Sequence, residues 1–268
     1  MKGIKTITVA SDLSQNARVA YNYAWKLAHE LDVDMHVVNI YLQPTLPNSS
    51  NFLGYMPSPD ELKQDALKQL RHFANDVSVK CEVHAGADSD TLIDLSKKWE
   101  LLVVGAKGEK GMIDNMIGSV SLGVSRDAFC PVLVIPEKSK FVGIKQILYA
   151  TSESSLKTKH IEKVMSLAKK LGSKIHFVHV SENKGSFDIS AIDTLMSAYE
   201  VPYEKADLEF ISERGGMDIY REKNAINLIV VATQHRSLWE RIFHSSFTEA
   251  LQWNTEVPVL VLHDEDEI

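Results

Sequence analysis

Cysteine is nearly absent: Cys81 and Cys130 are the only two in 268 residues, and they fit no zinc-ligand spacing. Positive charge is the scarcer sign, with 29 Lys and Arg against 36 Asp and Glu and a net charge of -7. Without a Lys/Arg-rich stretch the chain lacks the basic face that a nucleic-acid backbone requires, so DNA and RNA are not expected as partners. No apolar run approaches the ~20 residues of a membrane helix, so no membrane partner is expected either. Met1-Lys2-Gly3 leads straight into the alternating Ile4–Ala10, without the apolar core of a signal peptide, so a cytoplasmic protein with reduced thiols is expected. There is no Walker A sequence, no G-x-G-x-x-G and no nucleophile elbow. The ten histidines form no ligand motif. His176 and His179 sit three apart on a strand-like run and point to opposite faces, while His36, His84 and His160 have no evident partner, so no metal site is expected. The acidic tail Asp264–Glu267 reads as a solvated run.

What the chain does have is self-similarity. Under a shift of 140 residues, Thr6–Ser11 falls on Gln146–Thr151, and Met35-His36-Val37 falls on Ile175-His176-Phe177. Further along the shift becomes 127: Leu101–Gly105 meets Leu228–Ala232, and Pro131–Ile135 meets Pro258–Leu262. A repeat of this length is a duplicated domain. The spacing predicts one domain over 1–138 and a second over 142–268, joined by the polar stretch Glu137–Gly143, with 13 additional residues in the first copy.

Within each copy strand and helix patterns alternate. In the first, strands are predicted near 4–10, 34–41, 77–84, 101–105 and 131–135, and helices near 14–31, 59–74, 89–99 and 118–128. Ala17, Ala20, Tyr21, Ala24, Leu27, Ala28 and Leu31 form an apolar stripe at helical spacing, with Ser14 placed as its cap. Leu101–Val104 and Val132–Ile135 are apolar on both faces, as in strands covered on both sides. The pattern predicts an α/β fold with parallel sheets and right-handed crossovers, which bind ligands at the carboxyl ends of their strands where strand order reverses. Cys81 and Cys130 read as buried thiols, and Trp25 and Trp99 as covers over sheet or helix ends.

The extra segment, Leu42–Asp60, carries four prolines and leaves from that carboxyl edge. It reads equally as a lid, with Phe52, Tyr55 or Met56 over a ligand, or as a plain surface insertion. On the same edge the first strand ends in Ala10-Ser11-Asp12, a carboxylate able to accept from sugar hydroxyls or to cap the next helix. The fourth strand ends at Gly105, followed by Lys107, Gly108 and a loop to Gly118-Ser119, where a helix begins. Glycines permit positive φ and close approach to an anion, helix-start amides point at it, and Ser119 and Ser121 add hydroxyls.

Gly105-x2-Gly108-x9-Gly118-Ser119 matches without a gap the nucleotide motif of the ATP-binding universal stress proteins. Ser11-Asp12-Leu13-Ser14 and Cys130–Ile135 also resemble that family, and the likeness spans nearly the whole chain as two domains in tandem. The resemblance implies two flavodoxin-like (adenine-nucleotide α-hydrolase-like) domains, each a five-stranded parallel sheet of order 3-2-1-4-5. It implies packing as an internal pseudo-dimer through the last strands, with homodimerisation of the chain left open. It further implies a stress-response regulatory protein that binds ATP, with Mg²⁺ or Mn²⁺ accompanying the nucleotide in such proteins. By position, Asp12 would contact the ribose, Ala10 and Ser11 the base, and the backbone near Ile40 the adenine. Gly105, Lys107, Gly108, Gly118, Ser119, Val120 and Ser121 would surround the phosphates and ribose.

The second copy departs from the motif. Ala232, His235, Ser245 and Ser246 stand at the equivalent places, Ser152 replaces Asp12, and Trp239 and Phe243 lie in the loop. Weak or absent ATP binding is expected there; His235, Arg236, Arg241 and His244 would hold another anion or an apolar ligand, or form a domain contact. No residue presents itself as a general base, so a binding module is preferred to the alternatives, a slow ATP or phosphoanhydride hydrolase and a nucleotide-free scaffold.

Overall fold

The computed structural model describes residues 4–43, 57–108, 118–151, 158–181, 190–197, 199–209, 216–233 and 256–263. The first half contains β1 (Thr6–Ala10), α1 (Gln15–Leu31), β2 (Asp34–Tyr41), α2 (Pro59–Ala74), β3 (Lys80–Ala85), α3 (Asp88–Ser96), β4 (Leu102–Gly105), α4 (Ser119–Asp127) and β5 (Val132–Ile135). The second contains β6 (Gln146–Thr151), α5 (Thr158–Leu171), β7 (Lys174–Ser181), α6 (Ser190–Ser197), β8 (Tyr203–Glu209), α7 (Gly216–Lys223), β9 (Leu228–Thr233) and β10 (Val259–His263).

The helices begin and end for local reasons. Ser14 Oγ accepts from the Ala17 amide at the start of α1, and Asp32 in the left-handed region ends it. Pro59 occupies the first helical position within the Ser58/Glu61 capping box at the start of α2, whose predicted span is the one found. Two elements differ from expectation. Asp76 Oδ1 accepts from the Ser78 amide at 2.9 Å, a side-chain turn that holds 76–79 out of the sheet, so β3 starts at Lys80 rather than 77. At the end of α3, Ser96 Oγ donates to Ile93 O at 2.6 Å and short-range turns follow, so the helix stops before 99.

One ten-stranded sheet runs β3-β2-β1-β4-β5-β10-β9-β6-β7-β8. Among the described strands each half has the order 3-2-1-4-5 with parallel pairs, and only the β5–β10 pair is antiparallel, with Val134, Leu133 and Val132 opposite Val259, Leu260 and Val261. The predicted pair of sheets is thus one continuous sheet. Its α1, α2 and α5 face is a single apolar core that crosses the seam, from Ile7, Val37 and Leu133 to Leu260, Val230 and Phe177. The other face carries two separate cores, one around Leu102, Val124 and Val134, the other around Leu148, Val231 and Val261. The linker is fastened to both halves: Ser139 Oγ donates to Glu256 O at 2.5 Å, and Phe141 packs edge-on to Tyr23 at 4.9 Å.

Cys130 is buried, and burial pushes its thiol up to about 12; Cys81 is only half-buried, because β3 is an edge strand, which corrects the expectation for that residue. Two histidines read as isolated have neighbours: His84 Nε2 lies 3.6 Å from Glu82, and His160 Nε2 lies 3.1 Å from His263 O. Trp99 packs against the α3/α4 core, whereas Trp25 is largely exposed near His29. Among the described residues no helix is long and apolar enough to cross a membrane.

Candidate functional site

The site forms where β1 stops. The Ser11 amide donates to Val38 O at 2.9 Å, and beyond it β2 continues for three residues with β3 on one side and no strand on its β1 side. Main-chain groups of alternate residues face the same neighbour, so the N–H and C=O of Ile40 lie on this open edge. The β1–α1 turn is held tightly. Ser11 Oγ accepts from the Leu13 amide at 3.1 Å, and Asp12 Oδ1 accepts from the Ser14 amide at 3.1 Å. Leu13 sits at φ 67°, a left-handed conformation costing a non-glycine residue about 1–2 kcal/mol. Asn39 secures this turn from β2: its Nδ2 donates to Ser11 O at 2.9 Å while the side chain is buried.

The opposite wall is the end of β4 and the start of α4. Ala106 N–H donates to Ile135 O and Gly118 N–H donates to Ala106 O, both at 2.8 Å, so those two amides are committed to the protein. Gly118 caps α4 without any side-chain hydrogen bond, which leaves the first-turn amides of Ser119, Val120 and Ser121 without intrahelical acceptors. The Ser121 hydroxyl is not a spare donor. It donates to Gly105 O at 2.5 Å and pins α4 to β4, a correction to its expected role. Lys107 Nζ lies 3.6 Å from Glu137.

The three motif glycines are not needed for positive φ, contrary to expectation; none is in the left-handed region. They are needed for close approach. A Cβ at Gly105 would meet the Asn16 carbonyl of α1 at 3.1 Å, one at Gly118 would meet the Gly108 amide at 3.3 Å, and one at Gly108 would meet Asp12 Oδ2 at 2.9 Å. That distance places the Asp12 carboxylate against the glycine loop.

Between the walls lies a cavity of about 460 Å³, within the range of small-molecule sites. Ala10, Ser11, Asp12, Ile40, Gly105, Lys107, Gly108, Gly118, Ser119, Val120 and Ser121 all line it. So do residues that sequence reasoning missed, notably Asn39, Asp88 and Leu92. Asn39 carries a readable signal, a lone amide in the otherwise apolar end of β2; Asp88 and Leu92 open α3 and become neighbours only through the crossover. Among the described residues no group of His, Cys, Asp and Glu gathers as a metal site. The proposed lid residues Phe52, Tyr55 and Met56, the loop 109–117, Ser152, and the second-copy residues His235 to Ser246 lie outside the described residues; Ala232 is buried at the end of β9.

The model of a family described as the universal stress protein family matches residues 3–136 and again 143–263. Universal stress protein MJ0531 of Methanocaldococcus jannaschii is 29% identical over 143 residues, spanning 51% of this chain and 84% of that protein. Universal stress protein Slr1230 of Synechocystis is 24% identical over 288 residues, covering 96% of this chain and 99% of its own length. The crystal structure of a universal stress protein from Archaeoglobus fulgidus superposes with a TM-score of 0.73 at 19% identity, covering 98% of this chain and 97% of that one, which supports the fold. With two family matches over a duplicated 3-2-1-4-5 sheet, this chain belongs to the universal stress protein family, as a tandem of two of its domains.

Proposed function

We propose that the protein is a stress-response regulator whose first domain, residues 1–138, binds ATP, and whose second, residues 142–268, has lost that site. The observation that carries this reading is the conjunction in one cavity of the first-turn α4 amides, which have no acceptor within the helix, with the Asp12 carboxylate and the open edge of Ile40. Each fits one part of an adenine nucleotide. Exposed amides at a helix N-terminus, with Lys107 close by, suit phosphate. Asp12 Oδ2 suits the ribose hydroxyls. The N–H and C=O of Ile40 present one donor and one acceptor to the edge of the base, with Ala10 and Ser11 beneath it. Among the described residues no carboxylate cluster is built for a divalent cation, so Mg²⁺ or Mn²⁺ would be held chiefly by the phosphates themselves.

The antiparallel β5–β10 pairing supports the reading of the chain as an internal pseudo-dimer. A cytoplasmic location goes with it, where the free thiols Cys81 and Cys130 stay reduced. A regulatory role is favoured over hydrolysis because Asp12, already tied to the β1–α1 turn, is assigned to the ribose and no other described cavity residue presents itself as a general base. The test is calorimetry with ATP, together with mass spectrometry of ligand carried through gentle purification. One nucleotide per chain, lost in Asp12→Ala, is expected. Two per chain would overturn the assignment of the second domain, and no heat and no co-purified nucleotide would overturn the site.

A further inference from the structure

The α4 helix ends as it begins, with main-chain groups its own turns do not satisfy. Ala128 N–H donates to Val124 O at 3.0 Å, and Ala128 itself is extended. The next amide, Phe129, turns away to Ser96 Oγ at 2.9 Å. The Ser125 carbonyl therefore has no helical donor. Its partner comes from the other domain: His263 Nε2, at the end of β10, stands 2.8 Å away and is buried. A carbonyl only accepts, so Nε2 carries the proton. His263 is held in turn from the second domain, where His160 Nε2 on α5 lies 3.1 Å from its carbonyl oxygen.

We propose that His263 is a cross-domain cap of α4, through which the degenerate second domain regulates the anion-binding end of the first. The link to phosphate rests on the nucleotide reading above; the cap does not. The helix is only nine residues long, so its uncapped amides at Ser119–Ser121 and its capped carbonyl at Ser125 belong to one rigid element. Loosening the carbonyl end releases the piece that carries the cradle.

The cap is also sensitive to acid. The groups facing the imidazole are Lys163 and His160 on α5 and the carbonyls of Ser125 and Cys130. Burial holds His263 below the ordinary histidine value; the two carbonyls pull the other way, and Lys163 and His160 add to the depression. Among the described residues Nδ1 makes no hydrogen bond although the Cys130 carbonyl faces the ring, so a second proton there is poorly satisfied. Acid acts through the cost of the buried charge: protonation favours states in which His263 has left this place, so the cap weakens as pH falls below the ordinary histidine value of about 6.5.

The experiment uses the full chain. Hydrogen exchange of residues 118–128 is followed at about pH 8 and about pH 5.5, either side of the ordinary histidine value near 6.5, in wild type, His263→Gln and His263→Ala. ATP affinity is measured in parallel. Wild type should show faster α4 exchange, relative to a distant helix such as α2, at the acid pH. His263→Gln, which keeps a donor but does not titrate, should lack that step. His263→Ala should exchange faster at both and bind ATP about fivefold more weakly, the scale of one lost helix cap. Unchanged α4 exchange in His263→Ala overturns the cap. Unchanged affinity, with faster exchange, overturns the regulation alone. If wild type binds no ATP the nucleotide reading fails, while the exchange arm still decides the cap. If His263→Ala does not fold, the tautomer read by nitrogen NMR on wild type decides: Nε2–H is expected, and Nδ1–H would refute it.

Discussion

Gly108→Ala separates the geometry of the cradle from its stability. The backbone there is not in the left-handed region, so alanine carries no conformational penalty and restricts the unfolded chain, a gain of about 0.4–1 kcal/mol where no strain results. The cost falls on one neighbour. The new Cβ would stand 2.9 Å from Asp12 Oδ2, too close for carbon and oxygen, so the carboxylate must turn away. Asp12 Oδ1 still accepts from the Ser14 amide, which keeps the turn but not the position of the second oxygen. If that oxygen holds the ribose, the loss is that of a hydrogen bond to a charged group, about 1.5–3 kcal/mol, or roughly ten- to hundredfold in Kd. The assay is ATP calorimetry on a double-mutant cycle of Gly108→Ala and Asp12→Ala, with thermal melts alongside. Gly108→Ala should melt no lower than wild type yet bind much more weakly, and in the Asp12→Ala background it should cost little more. Additive losses would show that Gly108 acts on the ligand directly, and that the argument through Asp12 is wrong.

Asn39→Ala removes the buried amide that holds the Ser11 carbonyl, so ATP affinity should fall several-fold, the melting temperature should drop with the ~1–3 kcal/mol cost of an unsatisfied buried carbonyl, and exchange at Leu13 and Ser14 should quicken. His176 is buried between Gln146 and Tyr220, and burial lowers its pKa despite the pull of Glu204. The neutral form is stabilising above the unfolded value of about 6.5, so a denaturant titration should show stability lost as pH falls below it and recovered in part by His176→Gln. Both cysteine thiols are raised by burial, the half-buried Cys81 less shielded than Cys130, so thiol titration of the native chain should label Cys81 first and Cys130 only on unfolding.

Much of this was legible because the residues that decide it are local. The stripe Ala17–Leu31, the box at Ser58 and Glu61, and the doubly apolar Leu102–Val104 and Val132–Ile135 declare helix, cap and covered strand without reference to the rest of the chain. The cavity-lining residues were legible for a related reason: they cluster at strand ends that follow glycine or precede a cap. What was not legible depends on partners distant in sequence. That Ser121 spends its proton on Gly105, that Gly108 makes room for Asp12, and that His263 reaches Ser125 are consequences of crossovers and of the seam; spacing alone carries none of them. Of the two reasons that single out these glycines, positive φ fails and closeness holds, though here to protein neighbours; a sequence does not tell flexibility from smallness, and only the φ angles and neighbours do.

The seam also decides what the chain can associate with. Strand edges attract other strands, and proteins blunt them with charge or by pairing. Here the outer edges are β3, with its Lys80, Glu82 and His84 ion-paired cluster, and β8, with Glu204 and Lys205 paired to Lys174 and Asp193. Both are polar and suited to water. The edge of β5 is the opposite: Val132, Leu133, Val134 and Ile135 are all buried, and β10 covers it. A chain cut after residue 138 would expose that apolar edge, and the same antiparallel register that seats β10 could seat a second β5 about a two-fold axis. The first domain alone should therefore sediment as a dimer, while the full chain, with β5 already occupied, should not self-associate through this edge. Mixing the separate halves should return the internal arrangement. A first domain that stays monomeric at high concentration would show that the seam is held by the linker and its Ser139 and Phe141 contacts, rather than by the strand edge.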